Sequence, residues 1–210
     1  MTTSPISNWS EANQRRAGDL LDLYPDRRSA VMPLLYIGSL EDGYCSDNVM
    51  RQVSELTGLT SAQVQSVASF YTMYKRHEVG RYLISVCTSI SCMLLGSDDV
   101  LETIERETGT PDGETSADGL FSVEHAECLG ACGGAPAVQV NYELVEGLRP
   151  EKSVGLCRWL RDAQPEVVLG DEMQQLFGGQ RSFPWGPAEQ EGAVAPVPAF
   201  GPYGSAEDGR

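Results

Sequence analysis

Four of the six cysteines in this chain fall into two close pairs, Cys87-x4-Cys92 and Cys128-x3-Cys132, with 35 residues between the pairs. If the four thiols serve one centre, two loops far apart in sequence must meet in space. The chain between them must then be long enough to cross over and return. Six cysteines in 210 residues are too sparse for a disulfide scaffold, and clustered cysteines in a reducing compartment more often bind metal or do redox work. Cys45 and Cys157 stand alone and read as buried structural thiols.

The residues around the two pairs provide such a crossover. RYLISVC (81–87) is apolar and β-branched, as a strand ending at the first cysteine would be. Residues 97–107 place Val100, Leu101 and Ile104 on one helical face, with Gly109 as the stop. A polar turn leads to a second strand, LFSVEHA (120–126), just before Cys128. A third strand is expected over 135–141 and a short fourth over 143–146. A last helix begins at Pro150 with Val154, Cys157 and Leu160 inward. Strand, helix, strand, strand, helix predicts one α/β sheet with a parallel β–α–β start.

Upstream the rhythm is helical. Helices are expected over 11–23, from Ser29 to Gly43, from Ser46 to Gly58, and from Thr60 onward, where Thr60 and Gln63 match a capping box. Their apolar stripes (Val31, Leu34, Leu35; Val49, Met50, Val53, Leu56; Val64, Val67, Ala68, Tyr71) read as core packing. The expected organisation is a mobile leader over 1–12, a helical region over 13–78, an α/β domain over 79–163, and an acidic Gly/Pro-rich tail over 164–210, extended or disordered.

Each iron of a [2Fe–2S] cluster takes two bridging sulfides and two thiolates, so four cysteines from two loops fill the protein's share. Thiolates suit iron–sulfur clusters and zinc alike. Structural zinc sites often use C-x2-C knuckles, and both spacings here are longer. The pattern therefore points to iron–sulfur and leaves zinc and redox disulfides open. Gly130, Gly133 and Gly134 would let the second loop close around sulfur. Thr88, Ser89 and Ser91 could add hydroxyl donors, and Ala135 and Pro136 would stiffen the loop's exit. His125 could form a hydrogen bond near such a centre, but a fifth ligand would be superfluous. Exposure is expected for His77, and the helix dipole explains Asp98 and Asp99.

A formal net charge of −15 argues against nucleic-acid binding, which needs Lys and Arg against phosphate. It also argues against an anionic membrane surface and is compatible with docking on a basic partner. The first residues lack a basic stretch followed by an apolar run, so no secretory signal is expected. No apolar run is long enough to span a membrane. A cytoplasmic protein is expected, peripheral if it serves membrane chemistry. There is no Walker loop, no GxGxxG after a strand and no Ser/His/Asp set, hence no catalytic residue to name and no sign of NADH or flavin binding by this chain itself.

Four segments carry a family resemblance: RSAVMPLLYI (28–37) with GYCS (43–46), ASFYTMY (68–74), VCTSISC (86–92) and ECLGACGGAP (127–136). Over residues 12–163 the chain resembles the small [2Fe–2S] subunit of respiratory complex I, NADH:quinone oxidoreductase. The resemblance implies a thioredoxin-like [2Fe–2S] ferredoxin domain preceded by an N-terminal helical bundle. It carries the cluster ligands onto Cys87, Cys92, Cys128 and Cys132. It also implies two neighbours, a flavoprotein subunit that binds FMN and NADH and the large iron–sulfur subunit, in a complex at the inner face of the cell membrane. The cluster would exchange single electrons with the flavin, off the main path to quinone. Equivalent subunits of an NAD-dependent formate dehydrogenase or a bidirectional hydrogenase would look alike, and a free-standing ferredoxin or a zinc-stabilised interaction module are the other readings. The chain departs from the family at Cys45, where an apolar residue is expected, at Ser89 and Ser91 in the first loop, and in the uncovered tail after about residue 164.

Overall fold

The computed structural model describes residues 4–183. They divide into two units, the first ending at Glu78 and the second beginning at Val79.

The first unit is helical: α1 (Glu11–Leu23), α2 (Val31–Asp42), α3 (Asp47–Thr57) and α4 (Ser61–Phe70). Local chemistry sets their ends. Ser10, Ser46 and Thr60 each cap a helix start by accepting a backbone N–H, and the Thr60–Gln63 capping box is complete. Gly43 and Gly58 end α2 and α3 in the left-handed conformation. The helix α2 is buried almost all round, with Leu34, Leu35 and Ile37 sealed from solvent. Its Gly38 lies under Val49 and the Trp9 ring, so closely that a Cβ there would strike both.

The leader expected over 1–12 is packed from Ile6 onward. Ile6 and Trp9 are buried, and the Trp9 indole N–H donates to Gln52 Oε1 at 2.9 Å. An indole buries a large apolar area and carries one donor that needs a partner, and Gln52 on α3 meets that need.

The second unit is built on a five-stranded sheet with order β2-β3-β1-β4-β5. Its strands are β1 (Tyr82–Cys87), β2 (Glu114–Thr115), β3 (Phe121–Ala126), β4 (Ala137–Val140) and β5 (Glu143–Glu146). Strand β1 is central and buried at every residue, which explains its largely apolar sequence; Ser85, its one serine, donates to Glu124 Oε1 at 2.7 Å. It runs parallel to β3 and antiparallel to β4. The crossover from β1 to β3 passes through a short helix α5 (Ile90–Leu94) and then α6 (Ser97–Thr108). Helix α7 (Pro150–Ala163) follows β5. Ile84, Val86, Val100, Ile104, Val123, Val140, Leu156 and Leu160 form one core with α6 and α7 against the sheet.

The tail expected after 164 continues the fold. Val168 and Met173 are fully buried in that core, and α8 (Gly170–Phe177) packs on β5. The Gln174 side chain closes the open edge of β5: its carbonyl accepts Glu146 N–H at 2.7 Å and its amide donates to Glu146 C=O at 3.0 Å. One side-chain amide thus does the work of a neighbouring strand at that residue. Gly and acids hid an amphipathic helix of about two turns behind a disorder-like composition. The rest of the expected tail, from 184, lies outside the described residues.

Candidate metal centre

The parallel pair β1/β3 decides where the cysteine loops begin. Its register runs from Tyr82 opposite Phe121 to Cys87 opposite Ala126. Both strands therefore end side by side, and Thr88 N–H still donates to Ala126 C=O at 2.9 Å. The first loop leaves from Cys87 and the second from Ala126. Two loops remote in sequence thus start as neighbours at the carboxyl ends of parallel strands.

In the first loop the chain turns at once into α5, which carries Cys92. Cys87 and Cys92 are buried, at 3% and 2% exposure, in a small apolar nest with Ala131 and Ala137, flanked by Leu129, Ala135 and Leu144. In the second loop Gly130 takes φ +75°, a conformation open to glycine. A single helical turn, Cys132–Gly134, follows. The Ala135–Pro136 peptide is cis, and Ala137 opens β4. Cys128 and Cys132 are exposed.

The electrostatics show which thiols are close. Burial pushes the Cys92 thiol up to about 11; the backbone N–H of Ala137 pulls the other way, and Cys87 and Cys132 add to the rise. Cys87, Cys92 and Cys132 therefore share one neighbourhood, and Cys128 opens the same second loop at the surface. Among the described residues no three His, Cys, Asp or Glu side chains gather tightly enough to grip one metal ion. A mononuclear zinc site draws all its donors to one ion, whereas a [2Fe–2S] centre asks for two thiolates at each of two irons. The four thiols lie on two loops that start side by side, with one backbone amide directed at the Cys92 sulfur and apolar walls behind Cys87 and Cys92.

Several expected roles move. The Thr88 hydroxyl points to the Ala126 carbonyl at 3.4 Å. His125 is taken by Asp112, with Nδ1 and Oδ2 2.6 Å apart. Gly133 and Gly134 are also held small by a second set of neighbours. A Cβ on Gly134 would fall 2.6 Å from both Gln180 O and Glu146 Oε1, and one on Gly133 would fall 3.1 Å from Ser182 Cα. Chain from beyond α8 lies on these glycines, and no local motif announces it. The Ala137 amide was equally invisible in the sequence, since any residue but proline supplies an N–H. Cys45 and Cys157 are buried and free of disulfide, their thiols pushed up to about 11 and about 12, chiefly by burial.

Comparison with known proteins gives the class. The model of the thioredoxin-like [2Fe-2S] ferredoxins matches residues 17–161. The chain belongs to that family, and its cofactor is a [2Fe–2S] cluster. Among particular relatives, it is 40% identical to the E subunit of the NADH-quinone oxidoreductase of Mycobacterium tuberculosis (strain ATCC 25618 / H37Rv), over 72% of this chain and 60% of the relative. It is 42% identical to the E 2 subunit of the NADH-quinone oxidoreductase of Rhizobium meliloti, over 67% of this chain and 84% of the relative. The match thus spans 60% of the length of the mycobacterial relative. In fold it is similar to a chain of an NAD+-reducing [NiFe]-hydrogenase crystallised in the air-oxidized state. That likeness has a TM-score of 0.57 at 18% identity, covering 68% of this chain and 25% of the other.

Proposed function

We propose that this chain is an electron-transfer subunit of an NADH:quinone oxidoreductase and holds its [2Fe–2S] cluster on Cys87, Cys92, Cys128 and Cys132. The observation that carries the ligand assignment is the register of Cys87 opposite Ala126, which starts both cysteine loops at one place. When bound, such a cluster accepts and returns one electron at a time. This chain's residues do the rest. Cys87 and Cys92 supply thiolates from a nest that excludes water. The Ala137 N–H offsets negative charge on sulfur. Cys128 and Cys132 hold the outer side at the surface, which leaves a short path to a partner's redox centre.

The partners proposed are the FMN- and NADH-binding flavoprotein subunit and the large iron–sulfur subunit of the complex. The names of the relatives support this. So do Ile90, Met93, Leu94 and Leu95, exposed apolar residues on and just after the turn that carries Cys92. Apolar side chains gathered in the open mark interaction sites. Among the described residues no helix is long and apolar enough to cross a membrane. The proposed place is peripheral, at the inner face of the cell membrane through the complex.

Serine substitution tests the ligands. Cys92→Ser and Cys128→Ser should each abolish or reshape the visible sulfur-to-iron absorption; an unchanged spectrum in both would refute the assignment. Co-purification tests the partner. Recovery with a flavoprotein that oxidises NADH and feeds quinone supports the reading. Recovery with a hydrogenase or a formate dehydrogenase would place the same module in another complex.

A further inference from the structure

The glycines of the second cysteine loop are covered by chain that lies outside the family match, which ends at residue 161. After α8, residues 178–183 run back across this loop and touch it at three points. Gln180 Nε2 donates to Gly133 C=O at 3.4 Å. Gln180 O lies where a Cβ on Gly134 would be, and Ser182 lies where one on Gly133 would be. Glu146, at 3% exposure, ties the segment down: its carbonyl accepts Gly179 N–H at 2.8 Å and its Oε1 accepts Ser182 N–H at 2.9 Å. The same carboxylate oxygen sits against Gly134, whose carbonyl accepts Gly147 N–H. Gln174 Nε2 holds the start of the segment through Gly179 C=O at 3.1 Å, and an Arg181–Asp171 ion pair fastens it to α8. The contact is tight enough that Ser182 Oγ is buried with no hydrogen-bond partner, a state that looser packing would let water relieve.

We infer that residues 178–183 are a positioning strap for the second cysteine loop, with Ser182 and Gln180 fixing where Cys132 presents its sulfur. Cys132 directly precedes the two glycines the strap rests on, and on its own it is an exposed residue in a glycine-rich turn. A loop free to open would let solvent and chelators reach the outer iron. Pinned through Glu146 to the end of β5, it cannot open without breaking hydrogen bonds to a buried carboxylate.

This inference rests on the ligand assignment above, and the experiment separates the two. In the full-length loaded protein, loss of the visible absorption to an iron chelator is followed after dithionite reduction, and the EPR g-values are recorded. Ser182→Pro removes the N–H that meets the Glu146 carboxylate and should release iron about 10- to 100-fold faster, the equivalent of one hydrogen bond to a charged group, with shifted g-values. Gln180→Ala, a change at an exposed side chain, should give a smaller acceleration. Ser182→Ala keeps the N–H and removes a buried hydroxyl that has no partner, so it should release iron no faster than the native chain. Native release rates in both Ser182→Pro and Gln180→Ala, or equal effects of Ser182→Ala and Ser182→Pro, would overturn the strap. A native spectrum in Cys132→Ser would instead overturn the ligand assignment.

Discussion

Cys87 and Ala126 stand opposite each other at the ends of the parallel strands β1 and β3. From that one pairing both cysteine loops depart, and the buried half of the candidate site forms where they begin. The sheet's core is what keeps the register, so the site inherits its stability from residues that never approach sulfur.

Ile84 tests this dependence. It is fully buried in central β1, between Val123 and Val140. Ile84→Ala should cost about 2–5 kcal/mol, and Ile84→Val about 0.5–1.5 kcal/mol. Urea unfolding of the loaded protein followed by far-UV circular dichroism would measure both. Equal midpoints for native and alanine proteins would remove β1 from the core.

Much of this was legible in the sequence where the determinant is local. Thr60 with Gln63, the stops at Gly43, Gly58 and Gly109, and the start at Pro150 are each set by a few neighbouring residues, and each stands where expected. The strand endings before Cys87 and Cys128 were readable for the same reason. Long-range partners were not. Trp9 looks like part of a polar leader until Gln52 receives its indole N–H. Met173 sits in an acidic stretch whose composition hides its burial against β5. Gly133 and Gly134 announce a close approach without saying to what, and the answer lies some fifty residues further on, in Gln180 and Ser182.

Two glycine-to-alanine changes in the helical unit should act in opposite directions. Gly18 is exposed in α1 with nothing within 4 Å of an added Cβ. Gly18→Ala should therefore stabilise the unit by about 0.5–1 kcal/mol through helix propensity. Gly38 meets Val49 and Trp9, so Gly38→Ala should destabilise it by about 1–3 kcal/mol through overpacking. Thermal unfolding of the full chain with Trp fluorescence as the probe distinguishes them; a shift of the same sign in both would contradict the packing described.

The Asp112–His125 pair gives a pH signature. Asp112 hydrogen-bonds and faces His125 at 2.6 Å, and this raises the imidazole above its ordinary range. A raised folded-state pKa means the pair stabilises the fold below the ordinary histidine range. That contribution is lost as pH rises through the raised value. Asp112→Asn should return the imidazole towards its ordinary range, read by NMR titration of the His125 ring. It should also abolish that part of the pH dependence of stability. An unmoved titration would show that Asp112 does not hold His125.

The most direct test of the central claim is EPR of the purified chain before and after dithionite, with iron and acid-labile sulfide assayed on the same sample. A silent oxidised protein is expected, one that gains the signal of one unpaired electron on reduction, with two irons and two sulfides per chain. One zinc per chain, with neither iron nor sulfide, would contradict it.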